Sequence, residues 1–554
     1  VVKLNYSIHL MKETICEFKD CILEEKGLDE YDLKDECDVD GTIYYKHSDP
    51  RDPPAWYKFI DSALSSKDSS SESNVLPFPE QHSLYGILLI RAESRIFAFT
   101  FGYGYTCINI ESREADFGMR TALNMVDHQK IREIDKKSLN YNTLHTISQS
   151  LKGLKISNFG IDLNDDLVKG ISGKSNDTEI SDSITGSISL KVTNNNKIRD
   201  LPQLCKKLLE YYLSENYKDH FQWYDNFKLI TDKNTISSLN ETLLGNIKES
   251  CENGNETDDN LSLEFPDYID LNSSRKFEIT NSDKISQTFE IDDFKFKNLY
   301  SNDVFSKSDD FTSFDKIKVK LYNPDAEEEI STWKLFDCVY FFGQVTKDKL
   351  HNILIDGKWY EISADQVENT DKYLEDVDKT NKMPLRKFSG SSSEDEYIKS
   401  LISEKKSYLK FHRKNISVPN PGGLQRTNSV EFCDLYDHKE KRIIHIKIYS
   451  ASAGINHLCS QISTSAIFFL KDEDFREKII NKTDEDDRKN LNFSKNSRPI
   501  PMNYKLVFAI IHSKKEWSIT ILPIMAKMTL KKTIEELELL GYNVQIECIG
   551  TKDK

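Results

Sequence analysis

Apolar residues recur along this chain in two rhythms. Ser83 to Ile110, SLYGILLIRAESRIFAFTFGYGYTCINI, is almost continuous in Ile, Leu, Phe and Tyr and predicts two or three strands. Met119 to Asp135 predicts a helix, or a helix with a turn. Leu201 to Glu215 spaces its apolar residues for a helix, with Pro202 in the first turn. WKLFDCVYFFGQV and HNILIDGKWYEIS predict a hairpin pair, because Asp356-Gly357 is a strong hairpin-turn signal. The last fifty residues predict a strand (YKLVFAIIH), a second strand (EWSITILPI), a helix ended by Gly541 and a final strand (NVQIECI).

Polar stretches separate these elements. Ser65–Asn74, Gly173–Ser183, Glu249–Asn260 and Ser389–Glu396 read as breaks, and Asn481–Pro499 as the longest flexible insertion. The pattern predicts a mixed α/β, multidomain chain. Its expected parts are an N-terminal α/β domain (1–250), a β-rich middle domain (261–385) and a C-terminal domain (386–554).

The C-terminal pattern carries chemistry. Glu394 opens a helical run, EDEYIKSLISEKKSYL. Asp434 ends an apolar run, VEFCDL, and Lys441 and Arg442 close a charged turn. RIIHIKIY then reads as a strand whose alternation puts His445 and Lys447 on one face. A helix follows, AGINHLCSQISTSAIFFL, carrying Gln461. Helix acid, strand-end Asp, then a strand with a ligand, a spacer and a Lys is the order of a restriction-endonuclease-like core. In that arrangement Glu394, Asp434 and His445 bind Mg²⁺ or Mn²⁺, Lys447 stabilises the transition state, and Gln461 supports the site. His445 stands where an acid is usual, and imidazole suits Mn²⁺ better than Mg²⁺. The same residues also fit a purely structural hairpin. Lys447 can snorkel from a sheet edge, His445 can be a core histidine, and Asp434 and Asp437 can initiate the turn.

Charge sharpens this picture. The chain has 554 residues and a formal net charge of −16, so it repels nucleic acid on average. Lys405 to Arg426 reverses that sign locally, with Lys405, Lys406, Lys410, Arg413, Lys414 and Arg426, no acid, and two aromatics, Tyr408 and Phe411. It is the expected phosphate-binding segment, though a solvated linker would read the same way. No apolar run approaches the roughly 20 residues of a bilayer span, and the start lacks the apolar core of a signal peptide. Ten scattered cysteines without a CxxC pair fit reduced thiols in a cytoplasmic protein.

VEFCDL, IHIK and SASAGINHLCSQISTSA resemble the C-terminal signature of a sporadically distributed family of uncharacterised bacterial proteins met in restriction and phage-defence islands. FAFTFGYGY, ADFGMRTALNMVD, KIREIDKKSL, FGIDLNDDLVKGISG, TGSISL and DGKWYEI match earlier stretches in order. Ile398, Ile455 and Asn456 depart from the pattern. In the family signature the His445 position is itself histidine. The nuclease-like core and the defence-island company together lead to the expectation of a defence-associated, metal-dependent nuclease acting on DNA before RNA, with a phage protein or companion defence protein as further partner. The competing expectation is a non-catalytic nucleic-acid- or protein-binding sensor on the same fold. The sequence leaves homo-oligomerisation open.

Overall fold

A computed structural model describes residues 3–552 apart from 51–59, 61–81, 140–143, 163–165, 253–260, 267–275, 282, 284, 291–293, 295, 297–313, 323–328, 344–350, 381–383, 390–392, 420–426 and 450–451. The break Ser65–Asn74 and most of Glu249–Asn260 lie outside the described residues.

The N-terminal region is a ten-stranded sheet whose strands run between Leu4 and Asn194. Leu84–Ala92 and Arg95–Gly102 form a hairpin inside it, third and fourth from one edge. Their unbroken apolar runs arise because both faces are covered. Leu88 and Ile90 join one core with the helices Phe117–Met125 and Leu201–Leu213, while Ile87 and Leu89 join a second with Met11 and Ile108. The helix expected over Met119–Asp135 stops at Met125, and Val126–Ser138 is a strand instead. That strand pairs on both sides, with Ile131 and Ile134 facing the core. Pairing on both edges outweighs its weak helical spacing.

The middle region holds a five-stranded and a four-stranded sheet, packed with the helix Lys233–Glu252. The Asp356-Gly357 turn joins Asn352–Ile355 to Lys358–Ile362, both turn residues having positive φ (51° and 69°). The next helix, Ala364–Lys379, leaves this core: Leu374 and Val377 pack with the C-terminal one.

In the C-terminal region, helix α1 (Glu394–Glu404) precedes strands β1 (Tyr408–Lys410), β2 (Leu435–Asp437) and β3 (Arg442–Ile448). Helix α2 (Ser452–Lys471), strand β4 (Lys505–Ile511), helix α3 (Ile524–Leu539) and strand β5 (Asn543–Ile549) follow. The sheet order is β1-β2-β3-β4-β5; β2 runs antiparallel to both β1 and β3, while β4 and β5 run parallel to β3. A small hairpin, Asn415–Pro419 with Thr427–Glu431, is inserted between β1 and β2. Ile443 faces the core beneath α2 and α3, and Ile444 and Ile446 the core beneath α1.

Two expectations fail here. EWSITILPI is no strand: Ile519–Ile521 is a 3-10 turn, and Pro523 caps α3. The edge of β4 that such a strand would occupy is taken by β5. Asn481–Pro499 is no loose insertion: Leu491 and Phe493 pack on the core, with Phe493 against Phe432, Phe469 and Tyr436.

Candidate metal centre

The Ser393 hydroxyl caps α1 by accepting the Glu396 N–H, while the Glu396 carboxylate accepts the Ser393 N–H. This S-x-x-E box fixes Glu394 as the first helical residue. Asp434 lies in the bend between the inserted hairpin and β2. Its N–H donates to Ile444 O (3.0 Å), and its carbonyl accepts from Phe411 N (3.0 Å) and His412 N (3.1 Å). The backbone of Asp434 thus ties β3 to the residues just after β1.

Strand β2 is short, and its pairing with β3 ends at Ile444. Beyond it the edge of β3 is open, and carboxylates occupy it. Ile446 N–H donates to Asp434 Oδ2 at 2.7 Å. Further along, Ile448 N–H acts on Glu394. His412 Nδ1 lies 2.5 Å from Asp434 Oδ1 and 4.0 Å from Glu394 Oε1. Ligand atoms of Glu394, His412 and Asp434 all fall within 4.8 Å of one another.

Charge is concentrated here under partial burial. Burial first, then the Asp434 charge, raises the Glu394 pKa, against the pull of Lys447 and His412. The bond to Asp434 first raises the His412 pKa, with burial opposing and the charges of Asp434, Glu431 and Glu394 assisting. Among the described residues, the buried His412 Nε2 has no hydrogen-bond partner. Glu431 stands close by, its pKa raised by burial and then by Asp434. It accepts the N–H of Arg413, which turns the chain with φ at 60°.

Of the residues singled out from sequence, the structure brings Glu394 and Asp434 together. Lys447 is near enough for its charge to act on Glu394, and its stem lies beside Gly454 at the start of α2. His445 stays outside the cluster of ligand atoms. It is 2% exposed, burial pushes its pKa down to about 4 against the Asp434 charge, and its Nε2 has no partner among the described residues. His445 is therefore a neutral imidazole on the face of β3, whereas Asp434 meets β3 along its edge. Gln461 lies two turns into α2 beyond Gly454 and makes no hydrogen bond to the cluster among the described residues.

The basic segment is partly neutralised. Lys405 pairs with the buried Asp437 (2.7 Å) and Lys410 with Asp395 (2.5 Å). Lys414 donates to Lys482 O and lies over the Phe411 ring. Lys406 and Arg413 remain exposed, and Arg426 lies outside the described residues. Sequence reading passed over His412 by treating KFHRK as phosphate-binding only; the available signal was a histidine placed directly after the apolar Phe411.

Two carboxylates and an imidazole suit a divalent cation, and the mixed oxygen and nitrogen set favours Mn²⁺ over Mg²⁺. His412 Nδ1 and Asp434 Oδ1 now share a hydrogen bond, so a cation held by both would displace that proton.

A family profile described as "Family of unknown function (DUF6119)" matches residues 6–550. No curated protein matches the chain, and neither does any solved structure. The profile spans nearly the whole sequence, so the chain belongs to that family.

Proposed function

We propose that this family member is a metal-dependent phosphodiesterase, a nuclease, with its hydrolytic centre at the open edge of β3. The observation that carries the reading is the convergence of Glu394, Asp434 and His412 beside the strand that bears Lys447. The element order supports it: a helix, three antiparallel strands, a crossover helix and a parallel strand is the order of a restriction-endonuclease-like core. The defence role, the preference for DNA before RNA and the cytoplasmic setting extend the same reading. Among the described residues, no helix is long and apolar enough to cross a membrane.

In this reading Glu394 and Asp434 hold the cation and His412 supplies the third donor. The cation supplies Lewis acidity to the phosphate and lowers the pKa of water. Water adds to phosphorus, one phosphorus–oxygen ester bond breaks, and the leaving oxygen takes up a proton. The Lys447 ammonium faces charge developing on the phosphate. Exposed Lys406 and Arg413 contact the flanking backbone. Neutral, buried His445 holds no metal here and packs under the site.

The test compares wild type with Asp434→Asn and Lys447→Met on plasmid, single-stranded DNA and RNA, with Mg²⁺ and with Mn²⁺, alongside Mn²⁺ binding by electron paramagnetic resonance. Cleavage lost in both variants, with Mn²⁺ binding lost only in Asp434→Asn, supports the assignment. Absence of both cleavage and Mn²⁺ binding in folded wild type would falsify it.

The second reading, a non-catalytic binding module, draws on the net charge of −16 and on the pairing of Lys405 and Lys410 with acids. It predicts a protein partner whose affinity barely changes with salt.

A further inference from the structure

A cavity of about 670 Å³ lies between the N-terminal sheet and the middle hairpin, remote in sequence from the residues just described. Its size is that of small-molecule sites, and the junction of two cores is a common place for one. Its charges are unevenly matched. Each acid lining it is already engaged. Glu114 holds Arg95 (2.7 Å), Asp116 accepts the Tyr212 hydroxyl (2.9 Å), Asp225 accepts the Tyr217 hydroxyl (2.7 Å), and Glu215 holds Lys218 (3.0 Å). Asp356 takes both Lys137 (2.5 Å) and Lys169 (2.6 Å).

The lining cations are not all so served. Among the described residues, Arg120, Lys358 and Lys228 form no ion pair. Arg120 lies over the rings of Tyr212 and Tyr217, at 5.5 and 5.8 Å, and its buried Nε has no acceptor among the described residues. Burial first, then Arg113 and Lys169, push the Lys358 pKa down to about 8, against Asp356 and Asp337. Lys228 is exposed at the rim. Partly buried cations outside any ion pair are costly in a folded chain unless something anionic completes them. The rings of Tyr224 and Tyr360 add flat apolar surface to the same wall.

We infer that this cavity binds a small polyphosphate anion, either inorganic or borne by a nucleotide, with its phosphates between Arg120 and Lys358. A guanidinium and an ammonium facing one space suit phosphate oxygens better than a single carboxylate. Tyr224 and Tyr360 can receive a base when the phosphates belong to a nucleotide.

The experiment is isothermal titration of the full chain with inorganic pyrophosphate, ATP and adenosine, in EDTA so that no cation bridges phosphate to Glu394 and Asp434. Lys358→Met is the variant, because methionine replaces an uncompensated ammonium with an apolar chain of similar length. Its melting temperature should match or exceed that of wild type. Binding of pyrophosphate and ATP, weakened about tenfold or more by Lys358→Met and absent for adenosine, supports the site. Binding of ATP alone assigns a nucleotide, and binding of pyrophosphate alone an inorganic anion. If Lys358→Met does not fold, Lys228→Ala at the rim replaces it and should weaken binding severalfold. No binding of either phosphate compound, or binding that the folded variant leaves intact, overturns the inference. The EDTA condition also keeps this result separate from the fate of the nuclease reading.

Discussion

Asp434 gives the sharpest test of how the metal-capable cluster is built. Its carboxylate accepts from two donors, His412 Nδ1–H at 2.5 Å and Ile446 N–H at 2.7 Å, in a residue only 6% exposed. Asp434→Ala leaves both without an acceptor. Each stranded buried donor costs ~1–3 kcal/mol, so the pair should cost roughly 3 kcal/mol after partial relaxation. Asp434→Asn is different: its Oδ1 can keep the Ile446 bond, and its Nδ2–H can donate to a neutral His412. It should cost under about 1 kcal/mol, while removing the bond that chiefly raises the His412 pKa. The assay is hydrogen exchange by mass spectrometry on peptides covering Arg442–Ile448. Where 1.4 kcal/mol is tenfold, ~3 kcal/mol speeds exchange about a hundredfold in Asp434→Ala, against less than roughly tenfold in Asp434→Asn. Exchange in Asp434→Ala within about threefold of wild type would refute the reasoning, as would equal acceleration in both variants.

Two more outcomes follow from buried charge. Glu547 is 4% exposed, and burial pushes its pKa up to about 7, with Leu385 N–H and Arg442 opposing. Because the folded value lies above the ordinary 4.5, its stabilising contribution is full below that value and is lost as pH rises through about 7. Glu547→Gln should flatten the decline of the urea midpoint across this window; parallel pH profiles for variant and wild type would sink the idea. In the middle region, Asp356→Ala removes the carboxylate paired with the ammonium of Lys137, which is 1% exposed and also donates to Tyr340 Oη and Pro266 O. The variant should lose about 3–5 kcal/mol, read by calorimetry, and adding Lys137→Met should restore most of it. A loss under about 1 kcal/mol would contradict the buried-pair account.

Much of the architecture is legible in local patterns. The Ser393 and Glu396 box starts α1 where its sequence says, and the Asp356-Gly357 dipeptide makes its turn. Alternation and apolar runs mark β3, β4 and β5, and Gly541, with φ at 90°, ends the last helix. In each case the cause lies within a few residues: a cap, a turn preference or a repeat of two or 3.6. Where partners distant in sequence compete, the patterns mislead. Val126–Ser138 becomes a strand because two neighbours pair with it, and Asn481–Pro499 is held because Phe493 finds three aromatic rings.

The candidate site divides along the same line. Sequence spacing selects Glu394 and Asp434, which stand at the ends of elements readable by eye, and Lys447 by its place in an alternating strand. It offers His445 as the third ligand because strand alternation puts that residue beside Lys447. Alternation describes the faces of a strand, however, and not its edge. The early end of β2 exposes the Ile446 N–H, which draws the Asp434 carboxylate to the edge of β3. Pairing of β1 with β2 then carries the chain so that Asp434 O accepts the N–H of His412, twenty-two residues earlier. No local signal encodes that meeting, because it depends on the register of two strands and on the inserted hairpin returning the chain to them. The composition of the cluster is thus a property of strand pairing, and so is the choice of His412 over His445.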